Sequence, residues 1–276
     1  MGLTIKSTIA LANGVQMPLL GLGTYKTTDP DDIRRSVLAA LAVGYRSIDT
    51  ASMYGNEDGI AAALGESGLP REQVFLTTKL WNDDQGYDTV LAALHHSLER
   101  LGTDYVDLYL VHWPVLQYME ATWMAMEEIL ERGEARAIGV CNHLRHHLEQ
   151  LLDHAAIVPM VNQIEYHPWL QQPDLLQYCG RLGIAVEAWG PVMRGRLAEE
   201  PVLAQIGARY GKTAAQVALR WALQNGVAVI PKSVHEERVR ENAAVFDFEL
   251  SISEMTQVDT LDRGTRLGRH PDETWG

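Results

Sequence analysis

The sequence predicts a (β/α)8 barrel that is preceded by a β-hairpin and followed by a C-terminal helix and tail. Eight short apolar runs alternate with helix-like segments along the chain. Several runs place Val, Ile and Leu on successive positions, as strands buried on both faces do. The 276 residues also suit a fold that takes about 250 residues. No linker or low-complexity tract divides them, so we expect a single domain over residues 1–276.

The predicted strands are the apolar runs, at residues 20–23, 46–49, 74–79, 105–112, 135–142, 160–165, 184–189 and 227–232. The amphipathic segments between them predict helices at residues 31–43, 56–66, 88–101, 119–131, 145–152, 173–182 and 213–224. Pro30 precedes the first helix, and glycines follow four of the helices, at Gly44, Gly102, Gly133 and Gly183. Proline and glycine at these places are common start and stop signals.

The two ends of the chain carry further elements. Asn13-Gly14 lies between the apolar segments 8–11 and 15–17, which is a strong hairpin signal, and such a hairpin could plug the bottom of a barrel. Residues 251–261 predict a last helix, and a polar tail with Gly264, Gly268 and Pro271 follows it.

An open doubly wound sheet is the alternative fold. It usually has a turn with three spaced glycines after its first strand. Gly21 and Gly23 begin such a turn, but Lys26 stands where the third glycine belongs. The pattern is therefore weak, and the barrel is favoured.

Charge and composition exclude several classes of protein. The chain has 23 basic and 36 acidic residues and a net charge of −13, which repels phosphate backbones and excludes nucleic acid as the main partner. No stretch approaches the roughly 20 apolar residues of a membrane span, and the N-terminus lacks a secretion signal. Cys141 and Cys179 lie in apolar segments, as the reduced thiols of a cytoplasmic protein do. Nothing in the sequence requires assembly, so we expect a monomer.

Reactive residues follow the predicted strands at the end where barrel enzymes carry their chemistry. Asp49 ends the second strand, Lys79 the third and His112 the fourth, while Tyr54 comes five residues after Asp49. Each alone has an ordinary explanation, as a helix cap, a packing residue or a solvated strand end. The pattern disfavours the view that all four residues have only such ordinary roles.

These four side chains suit the reduction of a carbonyl group. A free phenol has a pKa of about 10, and a nearby ammonium lowers it, which makes Tyr54 a better proton donor beside Lys79. A carboxylate such as Asp49 keeps a buried ammonium charged. The His112 imidazole could orient a carbonyl oxygen through a hydrogen bond. Carbonyl reduction needs such a set, because hydride arriving at carbon leaves alkoxide charge on oxygen.

At this point the motifs resemble those of a known family. Residues 44–51 (GYRSIDTA) and 54–57 (YGNE) resemble the signature of the aldo-keto reductases, and residues 78–81, 110–114 and 230–234 match further motifs in the same order. Residues 189–191 and 268–272 look most like the bacterial 2,5-diketo-gluconate reductase branch. The resemblance implies a (β/α)8 TIM barrel that uses NADPH to reduce aldehydes or ketones. It also implies that Tyr54 is the general acid, that Lys79 and Asp49 tune it, and that His112 orients the substrate oxygen.

One segment with several cations stands out for binding the phosphates of a dinucleotide. Residues 230–242 carry three basic residues against three acidic ones in a chain that is acidic overall, with Lys232 and Ser233 ahead of a predicted helix and Arg238 one turn into it. An ordinary solvated helix face is the alternative reading. The resemblance assigns these three residues to the extra ribose phosphate of NADPH, with Glu241 and Asn242 at the adenine. We therefore expect NADPH rather than NADH, with dual use left open.

The resemblance also implies residues at the nicotinamide end. Asn142 and Gln163 match the carboxamide contacts, and Trp189 matches the stacking residue. Two positions depart from the family, since Cys141 and Gly190 each stand where a Ser is usual. Near Gly190, Arg194 could supply charge instead of the missing hydroxyl. The implied cofactor contacts are Thr24, Asp49, Cys141, Asn142, Gln163, Trp189, Gly190, Val192, Arg194, Lys232, Ser233, Val234, Arg238, Glu241 and Asn242.

For the substrate, the resemblance implies a pocket of Tyr25, Trp81, His112 and Trp113, bordered by Met53 and the tail. Sugar acids, simple aldehydes, methylglyoxal-like dicarbonyls and aromatic ketones all remain open. Three tail arginines could attract an acidic sugar or could be solvated: Arg263, Arg266 and Arg269.

We expect no metal. Three histidines lie close together, but no carboxylate or cysteine with ligand spacing completes a site, so we expect surface histidines at His143, His146 and His147.

Two other functions compete with a reductase. A barrel lyase or aldolase could form a Schiff base on Lys79 or Lys232. A redox sensor could hold NADPH without useful turnover. The lyase leaves Tyr54, His112 and the cation-bearing segment after the eighth strand less well explained. The intact set of Asp49, Tyr54, Lys79 and His112 argues against the sensor.

Overall fold

A computed structural model describes residues 2–273. In it the chain forms an antiparallel hairpin followed by a barrel of eight parallel strands. The hairpin strands are β1 (Thr8–Ala10) and β2 (Gln16–Pro18). The barrel strands are β3 (Leu22–Gly23), β4 (Ser47–Asp49), β5 (Phe75–Leu80), β6 (Leu108–Val111), β7 (Ile138–Cys141), β8 (Val161–Glu165), β9 (Ala185–Trp189) and β10 (Ala228–Val229).

Helices connect the strands and cover the barrel. They are α1 (Pro30–Ala42), α2 (Glu57–Ser67), α3 (Tyr87–Leu101), α4 (Met119–Arg132), α5 (Arg145–Leu152), α6 (Pro173–Leu182), α7 (Pro201–Tyr210), α8 (Ala214–Gln224), α9 (Glu236–Ala243) and α10 (Ile252–Asp259). No helix in residues 2–273 is long and apolar enough to span a membrane.

The sheet runs from β3 to β10 with parallel neighbours throughout, and its two edge strands meet. The Gly21 amide donates to the Val229 carbonyl at 2.9 Å, and the Val229 amide donates to the Leu19 carbonyl at 2.9 Å. A Cβ on Gly23 would lie 2.7 Å from the Ile230 carbonyl oxygen, so the seam closes only with glycine there. The barrel prediction is confirmed, and the two glycines serve closure rather than a phosphate-binding turn.

The N-terminal hairpin is also confirmed. Ile9 pairs with Met17, and Gly14 takes a φ of 88° in the loop. The Asn13 side-chain amide donates to the Arg136 carbonyl at 2.8 Å, just before β7 begins. Because the contact lies at the N-terminal end of that strand and Met17 is fully buried, the hairpin caps the bottom of the barrel.

The structure differs from the prediction in a few places. Helix α7 was not predicted although Pro201 at its start is a common start signal, because Gly207 within it weakens the helical pattern. A Cβ on Gly207 would clash with the Lys212 carbonyl, a tertiary contact that the sequence does not reveal. Most strands are shorter than the predicted runs, and the runs 105–112, 135–142 and 227–232 differ most, since each strand there is four residues shorter. Parts of these runs continue the sheet only as isolated bridges, such as Val106 with Ala135.

Candidate active site

Three adjacent barrel strands and one loop bring four reactive side chains together. Asp49 ends β4, Lys79 lies near the end of β5, and His112 follows β6, where its amide donates to the Leu80 carbonyl at 3.1 Å. Tyr54 closes a short 3₁₀ turn after β4, and its amide donates to the Ala51 carbonyl at 2.9 Å.

The Lys79 ammonium is fully buried and uses its three hydrogens within the site. It donates to Asp49 Oδ1 at 2.6 Å, to the Thr50 carbonyl at 2.8 Å and to the Tyr54 hydroxyl at 3.5 Å. Burial is the largest single influence on the pKa of Lys79 and would lower it, but the negative charge of Asp49, together with Tyr54, Cys141 and the hydrogen bond to Asp49, holds the pKa above its ordinary value. The group therefore remains an ammonium at neutral pH.

Burial raises the pKa of the Tyr54 phenol, and the Lys79 charge offsets only part of that increase. The expectation that the pKa of Tyr54 is lowered is therefore wrong. The Lys79 charge does act to lower it, as expected, but burial has the larger effect. The reason is desolvation, which penalises a phenolate inside the protein. Tyr54 stays protonated at neutral pH, as a proton donor must be.

His112 is a neutral imidazole at neutral pH, because burial and then the Lys79 charge hold its pKa well below its ordinary value. Its ring centroid lies 5.7 Å from that of Tyr54, edge to face. Among the described residues, nothing forms a hydrogen bond with the buried His112 Nδ1 atom. We therefore place the ring hydrogen on Nε2, where a substrate oxygen can accept it.

Aromatic side chains surround these two rings. The ring centroid of Tyr25 lies 5.0 Å from that of Tyr54, and the ring centroid of Trp81 lies 5.2 Å from that of His112. The Trp113 ring stacks on His112 at 6.5 Å. The structure thus gathers the four residues implied for the substrate pocket, and Met53 beside Tyr54 is exposed, as a pocket border would be.

The next strands around the barrel bring the implied nicotinamide residues together. The Trp189 indole N–H donates to Asn142 Oδ1 at 2.8 Å, and Asn142 Nδ2 donates to the His112 carbonyl at 3.0 Å. Asn142 Nδ2 also lies 3.2 Å from Cys141 Sγ, and that thiol donates to Gln163 Oε1 at 3.6 Å. Cys141 is buried, which raises the pKa of its thiol, so it is a neutral packing and hydrogen-bonding group rather than a nucleophile.

Glu187 is a buried acid of this region that the sequence analysis missed. Gln163 Nε2 donates to Glu187 Oε2 at 2.6 Å and to Asp49 Oδ2 at 2.8 Å. Glu187 lies two residues before Trp189 on β9, so both side chains leave the strand on the same face. An acidic residue inside an apolar run was the available signal.

Two cations lie past the end of β10 without side-chain partners among residues 2–273. They are Lys232 and Arg238, both exposed, and between them Ser233 Oγ accepts from the His235 amide at 3.1 Å. In contrast, Arg240 lies 3.6 Å from Glu236 in an ion pair. Unpaired cations in a chain of net charge −13 are available for an anionic ligand.

The remaining implied cofactor residues line the barrel mouth and α9. Thr24 is buried and its hydroxyl donates to the Asp49 carbonyl at 2.8 Å. The Arg194 guanidinium lies 5.5 Å from the Trp189 ring centroid rather than on an acid. Of the others, Gly190, Val192 and Val234 are half-buried, Glu241 is exposed and Asn242 is buried.

Comparisons with known proteins identify the family of this chain. The model of the aldo/keto reductase family matches residues 19–263. The chain belongs to the aldo-keto reductase family. It is 51% identical to the glyoxal reductase of Bacillus subtilis (strain 168) over 273 residues, which cover 99% of each chain.

Solved structures of other aldo-keto reductases resemble this one. A candidate 2,5-diketo-D-gluconic acid reductase B has a TM-score of 0.91 and 38% identity, with 100% of this chain and 98% of that chain covered. A Bombyx mori aldo-keto reductase in complex with NADP has a TM-score of 0.90 and 34% identity, with 97% of each chain covered. The family resemblance, including its bacterial branch, is confirmed.

The tail of this aldo-keto reductase crosses the barrel mouth beside Trp189. Fully buried Glu165 accepts hydrogen bonds from the Leu267 amide at 2.6 Å and the Gly268 amide at 3.1 Å. A Cβ on Gly268 would clash with the Trp189 indole, so the close approach requires glycine. The tail therefore packs directly against Trp189.

Two of the three tail arginines are held by other side chains of the protein. Arg263 pairs with Glu200, and Arg266 donates to Gln172 Oε1 at 3.0 Å. Only Arg269 has no side-chain partner among the described residues, and it is exposed. An acidic substrate could therefore be attracted by Arg269 more readily than by the other two.

The three histidines are not all on the surface, which corrects the sequence expectation. His143 is buried and its Nδ1 lies 2.9 Å from the Cys141 carbonyl, while His147 is buried and His146 is exposed. Asp272, far along the chain, lies 2.9 Å from His146 Nε2 and 3.1 Å from His147 Nε2. The carboxylate that the sequence argument lacked is thus supplied by the fold.

This cluster is nevertheless hydrogen-bonded in a way that opposes metal binding. His147 Nδ1 accepts from the Leu144 amide at 3.1 Å, so the hydrogen of the neutral ring lies on Nε2 and points at Asp272. A metal would need the Nε2 lone pair that this hydrogen occupies.

Proposed function

We propose that this aldo-keto reductase reduces an aldehyde or ketone to the alcohol with NADPH, and that Tyr54 donates the proton. The observation that carries the proposal is the contact of the Tyr54 hydroxyl with the buried Lys79 ammonium at 3.5 Å, beside the neutral His112. We further propose a small dicarbonyl as the substrate class, since the glyoxal reductase of Bacillus subtilis shares 51% of its residues with this chain.

The residues fit the cofactor at both of its ends. Lys232 and Arg238 are unpaired among residues 2–273 and would hold the extra ribose phosphate, while the half-buried Trp189 indole would face the nicotinamide. When bound, NADPH supplies the hydride. A solved relative from Bombyx mori is in complex with NADP, which supports this assignment.

The protein's own groups complete the reaction. As a C–H bond forms at the carbonyl carbon, the electron pair of the C=O π bond moves to oxygen, which then takes the Tyr54 proton. The Lys79 ammonium stabilises the phenolate that remains, and Asp49 keeps that ammonium charged. His112 Nε2–H would donate to the carbonyl oxygen and orient it.

Schiff-base chemistry is disfavoured at Lys79. A Schiff base needs a neutral amine, yet the Asp49 charge raises the pKa of Lys79 and its hydrogens are all engaged. The intact set of four residues also speaks against a sensor that binds NADPH without turnover.

Following NADPH absorbance with a panel of carbonyl compounds tests the proposal. The panel contains glyoxal, methylglyoxal, a keto-sugar acid, a simple aldehyde and an aromatic ketone. We expect the highest kcat/KM for the small dicarbonyls. Covalent labelling by a carbonyl compound and borohydride, with no NADPH consumed by any compound, would instead identify a Schiff-base enzyme.

A further inference from the structure

A second carboxylate lies inside the barrel beside the Lys79–Asp49 pair. Gln163 on β8 and Glu187 on β9 are register partners, and both are buried. The two hydrogens of Gln163 Nε2 go to Asp49 Oδ2 at 2.8 Å and to Glu187 Oε2 at 2.6 Å. The two acids thus share one amide group.

Within residues 2–273, Glu187 forms no ion pair with a cation. The groups that act on it are the amide of Gln163, the Asp49 carboxylate on β4, the Lys79 ammonium on β5 and the Cys141 thiol on β7. On its other side β10 presents Ala228, which carries no charge. One buried ammonium therefore serves two buried carboxylates.

This imbalance makes the second acid hard to ionise. Burial, followed by repulsion from Asp49, raises the pKa of Glu187 to about 7. A protonated Glu187 still offers an oxygen lone pair to Gln163, so its ionisation changes the charge of the site without removing that hydrogen bond.

Resting on the proposed function, we propose that Glu187 is a positioning residue that acts on Tyr54 through Gln163, Asp49 and Lys79. When Glu187 is ionised, its negative charge disfavours the phenolate that Tyr54 forms as it gives up its proton. When Glu187 is protonated, more of the Lys79 charge is available to stabilise that phenolate. Carbonyl reduction is therefore faster with Glu187 protonated.

The test is the pH profile of kcat for dicarbonyl reduction at saturating NADPH. We expect wild-type kcat to fall roughly three- to tenfold as pH rises through neutral. Glu187→Gln imitates the protonated acid, so its kcat should keep the low-pH value throughout. Glu254→Gln is the matched control, because Glu254 is a buried acid of a helix cap on α10 that a glutamine can replace. Its profile should follow the wild type.

A second measurement needs no turnover. Because the pKa of Glu187 is raised in the folded state, protonated Glu187 contributes stability to the protein. This contribution is complete below about pH 4.5 and is lost as the pH rises to about 7. The difference in the free energy of unfolding between Glu187→Gln and wild type should therefore change across this window. A wild type that reduces no carbonyl overturns the proposed function, whereas this readout still reports on Glu187.

Identical pH profiles of kcat and of stability in wild type and Glu187→Gln would overturn the inference. If Glu187→Gln does not fold, Glu187→Asp replaces it in the test. The shorter side chain keeps a carboxylate but holds it farther from Gln163. The pH-dependent fall in kcat should therefore remain, and its midpoint should shift. An inflection that stays in place would also overturn the inference.

Discussion

The Lys79 ammonium lies 2.6 Å from Asp49 Oδ1, with both side chains buried between β4 and β5. Removing such a pair from water is costly, and each charge is tolerated only because the other is present. The pair leaves one Lys79 hydrogen for the Tyr54 hydroxyl, whose oxygen lies 3.5 Å from Lys79 Nζ. This contact links the stability of the barrel to the acidity of the phenol.

Asp49→Asn should destabilise the protein, because it leaves the Lys79 ammonium buried without a counter-charge. We expect the free energy of unfolding to fall by about 3 kcal/mol in urea denaturation. Lys79→Met added to Asp49→Asn should restore part of this loss. Asp32→Asn is the control, since its pair with Arg35 is exposed and should contribute within about 0.5 kcal/mol. Additive losses in the double variant would contradict the coupling.

Arg238→Ala should weaken NADPH binding far more than NADH binding, because only NADPH carries the extra phosphate. We expect the Kd for NADPH to rise at least about tenfold in a fluorescence titration, with little change for NADH. Arg240→Ala removes a cation of the same helix that already pairs with Glu236, so both affinities should stay within about twofold. Equal losses for both cofactors in Arg238→Ala would place this arginine away from the phosphate.

Acid should destabilise the protein through His143. Burial lowers the pKa of His143 to about 3, so the folded state resists a proton that the unfolded chain accepts below about pH 6.5. The stability held above that pH is lost as pH falls. Between pH 7 and pH 4, wild type should lose roughly 2–3 kcal/mol more unfolding free energy than His143→Gln. His96→Gln, at an exposed ring far along the chain from this cluster, is the control, and equal losses in all three proteins would contradict the assignment.

Gly268→Ala should loosen the tail, because a Cβ at this position meets the Trp189 indole and a Glu165 oxygen. Tryptic cleavage after Arg266 or Arg269 should then become several-fold faster, while the barrel unfolds at nearly the same temperature. Thr265→Ala changes an exposed side chain of the same segment and should leave the cleavage rate unchanged. Cleavage of Gly268→Ala at the wild-type rate would mean that the tail accommodates the methyl group.

Most of the fold could be predicted because barrel strands are buried on both faces and read as continuous apolar runs. All residues of β5 and β8 are buried, and both were predicted to within one residue at each end. Helix α7 could not be predicted, because the reason for Gly207 is a contact with the Lys212 carbonyl across a turn.

The same reasoning explains which site residues the sequence could reveal. Parallel strands bring their carboxyl ends to one face, so strand-end residues such as Lys79 and His112 could be grouped without coordinates. Glu187 could be noticed only as an acid inside an apolar run, and its role could not be predicted, since that role depends on the register that sets it against Gln163. Asp272 was missed for a similar reason, because only the path of the tail brings it to His146.

The most direct test of the account is the Tyr54→Phe variant, measured for NADPH binding and for dicarbonyl reduction. Removing the hydroxyl leaves the Lys79–Asp49 pair intact, so NADPH should quench protein fluorescence with nearly the wild-type Kd. Reduction should fall by about 10²–10⁴-fold, the usual contribution of a general acid. Turnover close to that of wild type would remove Tyr54 from its role and contradict the mechanism.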